Sequence, residues 1–166
     1  MSLQEWLTVA FLAASPVSEL RGAIPVAYYA FGWPLQLSWI FSVLINALAG
    51  ILVFLFLPRV ANQLAHRSKK LTWFYDFLAQ RALKQHGARF KLKGLMGLFI
   101  FIAIPLPLTG AWTGALLAYL FNFPRRATIL TIIAAVTTAG LLVSGVMATG
   151  EALPALIREF IIGKIR

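Results

Sequence analysis

The chain has 166 residues, of which 60% are hydrophobic and 12% charged, with no cysteine and a formal net charge of +10. A soluble domain carries about twice that charged fraction, and the lack of cysteine excludes disulfides and thiolate metal sites. A mean hydropathy of +0.83 instead suits helices in lipid, so the excess positive charge reads as membrane topology rather than nucleic-acid binding.

Leu3–Ala14 is an apolar arm, Ser15–Gly22 a polar stretch with a proline, and Ala23–Trp33 a second apolar arm. Each arm is about half the ~20 residues that a span requires, and proline interrupts the helical ladder. Residues 3–33 therefore read as a re-entrant helical hairpin, and 35–57 as a transmembrane helix. Residues 59–93 hold Arg59, Arg67, Lys69, Lys70, Arg81, Lys84, Arg89, Lys91 and Lys93 against one acid, Asp76. Such a block reads as a cytoplasmic loop facing anionic headgroups. Inside it, Trp73, Phe74, Tyr75, Phe77 and Leu78 fit one interfacial helix over Lys70–Lys84. His66 and His86 lack ligand-like spacing and receive no role. Residues 94–123 repeat the broken pattern as Gly94–Ile104, Pro105–Gly110 and Ala111–Phe123. A second span over 127–149 and a C-terminal interfacial helix over 150–166 complete the chain. The start of the chain lacks the basic region of a cleavable signal peptide.

The two broken segments belong to an internal repeat, sought as any repeat should be. Gly22-Ala23 falls on Gly110-Ala111, Pro34 on Pro124, and Ala49-Gly50-Ile51-Leu52-Val53 on Ala139-Gly140-Leu141-Leu142-Val143. If the broken segments crossed the membrane, Arg125-Arg126 would lie opposite the basic loop. As hairpins they return to their own side, and Arg125-Arg126 joins that loop. Charge therefore favours an all-α membrane protein of two inverted repeats, 1–57 and 94–149, each a re-entrant hairpin plus one transmembrane helix. Paired Gly/Pro-interrupted segments in matching halves point to a transporter's binding site.

The candidate site residues lie at the two tips. Glu19 and Arg21 are charges at membrane depth, which are functional by default. In an extended tip, residues i and i+2 project to one side and can pair. Glu19 would carry a proton and Arg21 an anionic group; the alternative is a fixed pair that only locks the tip. At the other tip Thr109, Gly110, Trp112 and Thr113 border a helix start that favours an anion, or the threonines merely cap that helix. Asn46 lies in an apolar span on a Ser42–Asn46–Gly50 stripe, matched by Gly140, Ser144 and Ala148, with Gly145 beside them. Such small, weakly polar stripes read first as packing surfaces.

No P-loop, GxSxG or GxGxxG occurs, and one glutamate without a second acid or base is a thin catalytic site. A non-enzyme with no cofactor and no metal is expected.

"SELRGAIP" and "PLPLTGAWTGALLAY" resemble the small multidrug export proteins of bacteria and archaea, distant relatives of the DedA/VTT membrane family. The resemblance implies matching roles for Glu19, Arg21, Gly22, Pro25, Pro105, Pro107, Thr109, Gly110 and Gly114. Leu108 stands where the family usually has glycine. It also implies re-entrant hairpins and proton-coupled transport or flipping of lipid-linked phosphates. The expected function is a secondary transporter or flippase for an amphipathic or anionic-headgroup, phosphate-bearing substrate, possibly coupled to protons through Glu19. The alternative is a structural or assembly protein, or an uncoupled lipid scramblase. The expected setting is a bacterial or archaeal inner membrane, with membrane lipids and a second copy in a homodimer as partners.

Overall fold

The computed structural model describes residues 1–65, 88–104 and 109–163, with side chains for 1–59, 93–104 and 109–150. Among the described residues every regular element is a helix. The expected interfacial helix over 70–84, His66, His86, Pro105, Pro107 and Leu108 lie outside them.

Helix α1, Leu3–Ala14, starts where Ser2 accepts from the Glu5 amide at 3.3 Å, an N-cap of ordinary type. A short turn leads to α2, Glu19–Pro25, which continues as a π-helical turn over Val26–Ala30. Pro25 has no N–H to give to the regular ladder, and the wider turn follows directly. The expected extended tip over Ser15–Gly22 is thus shorter: only residues 15–18 separate α1 from α2, and Glu19 to Gly22 are helical.

Helix α3, Leu35–Ala65, runs through Pro58 and past the expected end at 57. Helix α4 covers Ala88–Ala103, α5 Ala111–Leu120 and α6 Arg125–Gly163. α4 begins inside the basic block, and α6 continues without a break at 150, where a separate C-terminal helix was expected. Charged residues mark the edge of an apolar stretch, but Arg, Lys and Glu are good helix formers and do not end the helix.

Among the described residues two helical stretches are long and apolar enough to cross a membrane, Leu35–Arg59 and Arg125–Gly150, with mean hydropathies of 2.7 and 2.2. Along α3 the exposed stripe is Ile40, Leu44, Leu48, Leu52 and Phe56, while Ser38, Ser42 and Asn46 are buried. A helix in water shows the opposite pattern. An apolar outside and a weakly polar inside suit a lipid solvent.

The ends of the short helices are brought together. Trp33 Nε1 donates to Glu5 Oε2 at 3.1 Å, and its ring centroid lies 4.3 Å from that of Trp6. The start of α1 therefore adjoins the chain just after the π turn. In the second half, Phe123 lies against Gly94, where an added Cβ would meet its ring at 2.6 Å. The early part of α4 thus adjoins the chain just after α5.

The two joints into the long helices are built alike. Gly32 and Asn122 both have positive φ, +67° and +50°, a conformation that glycine and asparagine adopt most readily. The next amides, of Trp33 and Phe123, donate back to Ala27 O and Ala118 O, each at 3.0 Å. Pro34 and Pro124 follow, and their carbonyls accept from Ser38 and Thr128 at 3.0 and 2.9 Å. The repeat read from the sequence is therefore also a repeat of local backbone structure at these joints.

Small residues set the packing distances. A Cβ on Gly50 would meet Ala111 Cβ at 2.7 Å, so α3 and α5 approach closely there. Gly140 gives the same room to Trp39 and Val43. The small-residue stripes thus pack inside the chain at Gly50 and Gly140, whereas Gly145 and Ala148 are exposed.

Candidate functional site

Helix α1 ends inside the bundle, where its last four carbonyls cannot rely on water. All four are satisfied. Ser15 N donates to Phe11 O at 3.0 Å, and Ser18 Oγ to Leu12 O at 2.6 Å. Asn46 Nδ2, from α3, donates to Ala13 O at 2.9 Å. Trp112 Nε1, from α5, donates to Ala14 O at 3.0 Å. The end of α1 is therefore a junction of three helices, and two of its caps come from residues expected at the site.

The start of α5 is the complementary problem, since its first amides lack intrahelical partners. Gly110 N donates to Thr113 Oγ1 at 3.1 Å, so Thr113 caps its own helix. The Glu19 carboxylate lies against Gly110 and faces the amides of Ala111 and Trp112 at this helix start. A buried carboxylate on a helix N-terminus gains both ionic hydrogen bonds and the helix dipole. Gly110 makes this approach possible, because any Cβ there would collide with the Glu19 carboxylate. The helix start expected to hold a substrate anion is occupied, in this conformation, by the protein's own anion. Sequence spacing missed this because the two partners lie about ninety residues apart.

Glu19 is 7% exposed and has φ +50°. A left-handed backbone costs a non-glycine residue about 1 kcal/mol or more, which the bonds to α5 offset. Arg21 is less tightly bound to it than expected: its Nη2 lies 4.0 Å from Glu19 Oε2, beyond hydrogen-bond range. That nitrogen instead donates to Thr109 Oγ1 at 3.3 Å, and Thr109 Oγ1 donates to Ile104 O at 2.9 Å. Arg21 therefore ties the first tip to the loop before α5, while Glu19 ties it to α5 itself.

Asn46 borders the same space as Glu19, Arg21, Gly110 and Ala111, a gap too narrow to admit a water molecule. Its amide nitrogen is committed to Ala13, and its Oδ1 is buried with no partner among the described residues. Buried acceptors without partners are uncommon. Asn46 is thus more than the packing residue its stripe suggested. Its polarity in an apolar span was the available signal. Gly22 and Gly114 have supporting roles, leaving room for Ser18 and for Ile102 respectively. Pro25 acts at the backbone, at the entry to the π turn.

Replacing Asn46 with leucine, similar in size, leaves Ala13 O without a donor. The expected cost is about 2 kcal/mol, read as a lower midpoint of thermal unfolding in detergent. Ser42→Ala, on the same stripe but with a hydroxyl already lacking a partner, is expected to be nearly neutral.

Residues 19–142 match the family model described as "Putative small multi-drug export protein". The match begins at Glu19 and takes in Arg21, the second tip and the first spanning helix. Neither the curated proteins nor the solved structures contain a match to the chain.

Proposed function

The chain belongs to the small multi-drug export protein family, and on that premise we propose a small secondary transporter whose two halves are latched through Glu19. The observation that carries the reading is the Glu19 carboxylate of the first half, seated against Gly110 at the start of α5 in the second. In the latched state the space among Glu19, Arg21, Asn46 and Gly110, taken over the described residues, is too narrow for a substrate. A proton on Glu19 removes its charge and weakens both bonds to α5. The freed acid has an acceptor waiting in Asn46 Oδ1. The vacated N-terminus of α5, with Arg21 beside it, then suits an anionic or hydrogen-bonding group of the substrate. Proton entry and substrate entry are thereby coupled, because both use the site that Glu19 occupies.

Several features support two inverted re-entrant hairpins as the frame for this cycle. The contacts of Trp33 with Glu5 and of Phe123 with Gly94 bring each broken segment back to its start. The joints at Gly32 and Asn122 match. Arg59 and Arg125 line one cleft, which agrees with a single basic, cytoplasmic face. A homodimer belongs to the same reading, with the exposed Gly145 and Ala148 of α6 offered for close helix contact. The substrate class, amphipathic with an anionic or phosphate headgroup, follows from the chemistry of the vacated site and the DedA/VTT resemblance.

One observation favours a second reading, in which Glu19 and Arg21 only lock the fold: the site is dry as well as closed. The two readings part in a vesicle assay. The purified protein is reconstituted, and uptake of fluorescent cationic, neutral and anionic amphiphiles is followed with and without an imposed pH gradient. Gradient-dependent movement of the anionic probe supports the transporter. No gradient-dependent movement of any probe by well-folded protein supports the lock.

A further inference from the structure

From the far end of α5, away from the Glu19 contact, we infer that the protein carries a site for an anionic phospholipid, with its phosphate at Arg59 and Arg125 and one acyl chain across Phe123. The inference rests on membrane placement and not on the transport reading.

The headgroup half is a cleft of about 670 Å³ between the end of the first span and the start of the second, lined by Phe54, Arg59, Tyr119, Asn122, Phe123 and Arg125. Its two guanidiniums come from different helices. Among the described residues no carboxylate lines it. The Arg59 guanidinium lies over the Phe56 ring at 5.5 Å, a cation–π contact. Arginine forks suit phosphate oxygens in pairs. The cleft is also amphipathic, since phenylalanines and prolines form its other wall.

The chain half is a groove of about 220 Å³, lined by Gly94, Gly97, Phe101, Leu117, Phe121 and Phe123. The two cavities share Phe123. Its ring stacks on Phe121 with centroids 6.0 Å apart, an apolar pair beside both cavities. Gly97 faces the open part of the groove, where an added Cβ would meet nothing within 4 Å. A cationic cleft at the end of a span, with an apolar groove on the other side of Phe123, matches a lipid with one negative head and a flexible tail. Free phosphate would use only the first half.

The test uses the full chain, purified in an uncharged detergent. Phosphatidylglycerol, phosphatidylcholine and inorganic phosphate are titrated separately. Thermal unfolding and native mass spectrometry are read. Phosphatidylglycerol is expected to raise the unfolding midpoint and to stay bound at one copy per chain, with phosphatidylcholine and phosphate doing neither. Arg59→Gln with Arg125→Gln is expected to weaken phosphatidylglycerol at least about tenfold, whereas the paired change to lysine keeps most of the binding. Gly97→Leu, which fills open space, is expected to weaken it several-fold without lowering the lipid-free midpoint. Equal shifts by both lipids, an equal shift by phosphate alone, or full binding by the glutamine pair would each overturn the site. A glutamine pair that fails to fold leaves Gly97→Leu to decide: unchanged phosphatidylglycerol binding there would also overturn it.

Discussion

Replacing Gly110 with alanine is expected to destabilise the protein by about 3 kcal/mol and to stop transport. The added methyl occupies the place of the Glu19 carboxylate. Either the carboxylate is pushed off the Ala111 and Trp112 amides, or α5 shifts. The first leaves a buried charge without its donors. The second disturbs the close contact between Ala111 and Gly50 on α3, and also the Trp112 cap on α1. The atoms in its way are the end of the Glu19 side chain, so the cost is that of moving the carboxylate from the α5 start. Gly97→Ala is the control: with open space around it, alanine there is expected to be neutral or slightly stabilising. Thermal unfolding of both variants in detergent checks the contrast.

Glu19→Gln is expected to separate stability from coupling. The amide oxygen of glutamine can still accept from the α5 amides, so the fold survives with a loss of about 1–2 kcal/mol, the difference between ionic and neutral hydrogen bonds. Its side chain cannot take up and release a proton. If Glu19 is the coupling group, gradient-driven uptake is expected to fall at least tenfold. Movement down the substrate's own gradient persists. Glu19→Asp tests reach instead of charge: with one methylene fewer, it keeps the proton but strains to meet α5. It should retain gradient dependence while losing stability. Gradient-dependent uptake by Glu19→Gln at the wild-type rate would remove Glu19 from the coupling mechanism.

How far the sequence could be read depended on the range of the forces involved. Membrane spans and broken segments were legible because hydropathy and proline act locally. The joints at Gly32 and Asn122 share a positive φ although those two residues differ in type. Helix ends were less legible. Arg59 and Glu151 mark edges of apolar stretches, but the helices continue past them. At the site, the sequence singled out Glu19, Arg21, Thr109, Gly110, Trp112 and Thr113, and the fold brings all six together. Their partners were harder to foresee. Glu19 and Arg21 invited pairing because they are two residues apart, whereas each finds a closer partner across the tips. The caps on α1 by Asn46 and Trp112 depend on where that helix stops relative to α3 and α5. No local pattern encodes that. An asparagine amid apolar residues was the one visible hint.

The most direct test of the contact between the two halves is a double-mutant cycle on Glu19 and Gly110. Unfolding free energies are measured for the wild type, Glu19→Ala, Gly110→Ala and the double variant. With the carboxylate gone, the methyl at position 110 has room, so Gly110→Ala should cost far less in the Glu19→Ala background. The expected coupling is about 2 kcal/mol, within the range for residues in contact. Additive costs, with coupling near zero, would mean that the Glu19 carboxylate does not rest on the start of α5, and the latch would fall with it.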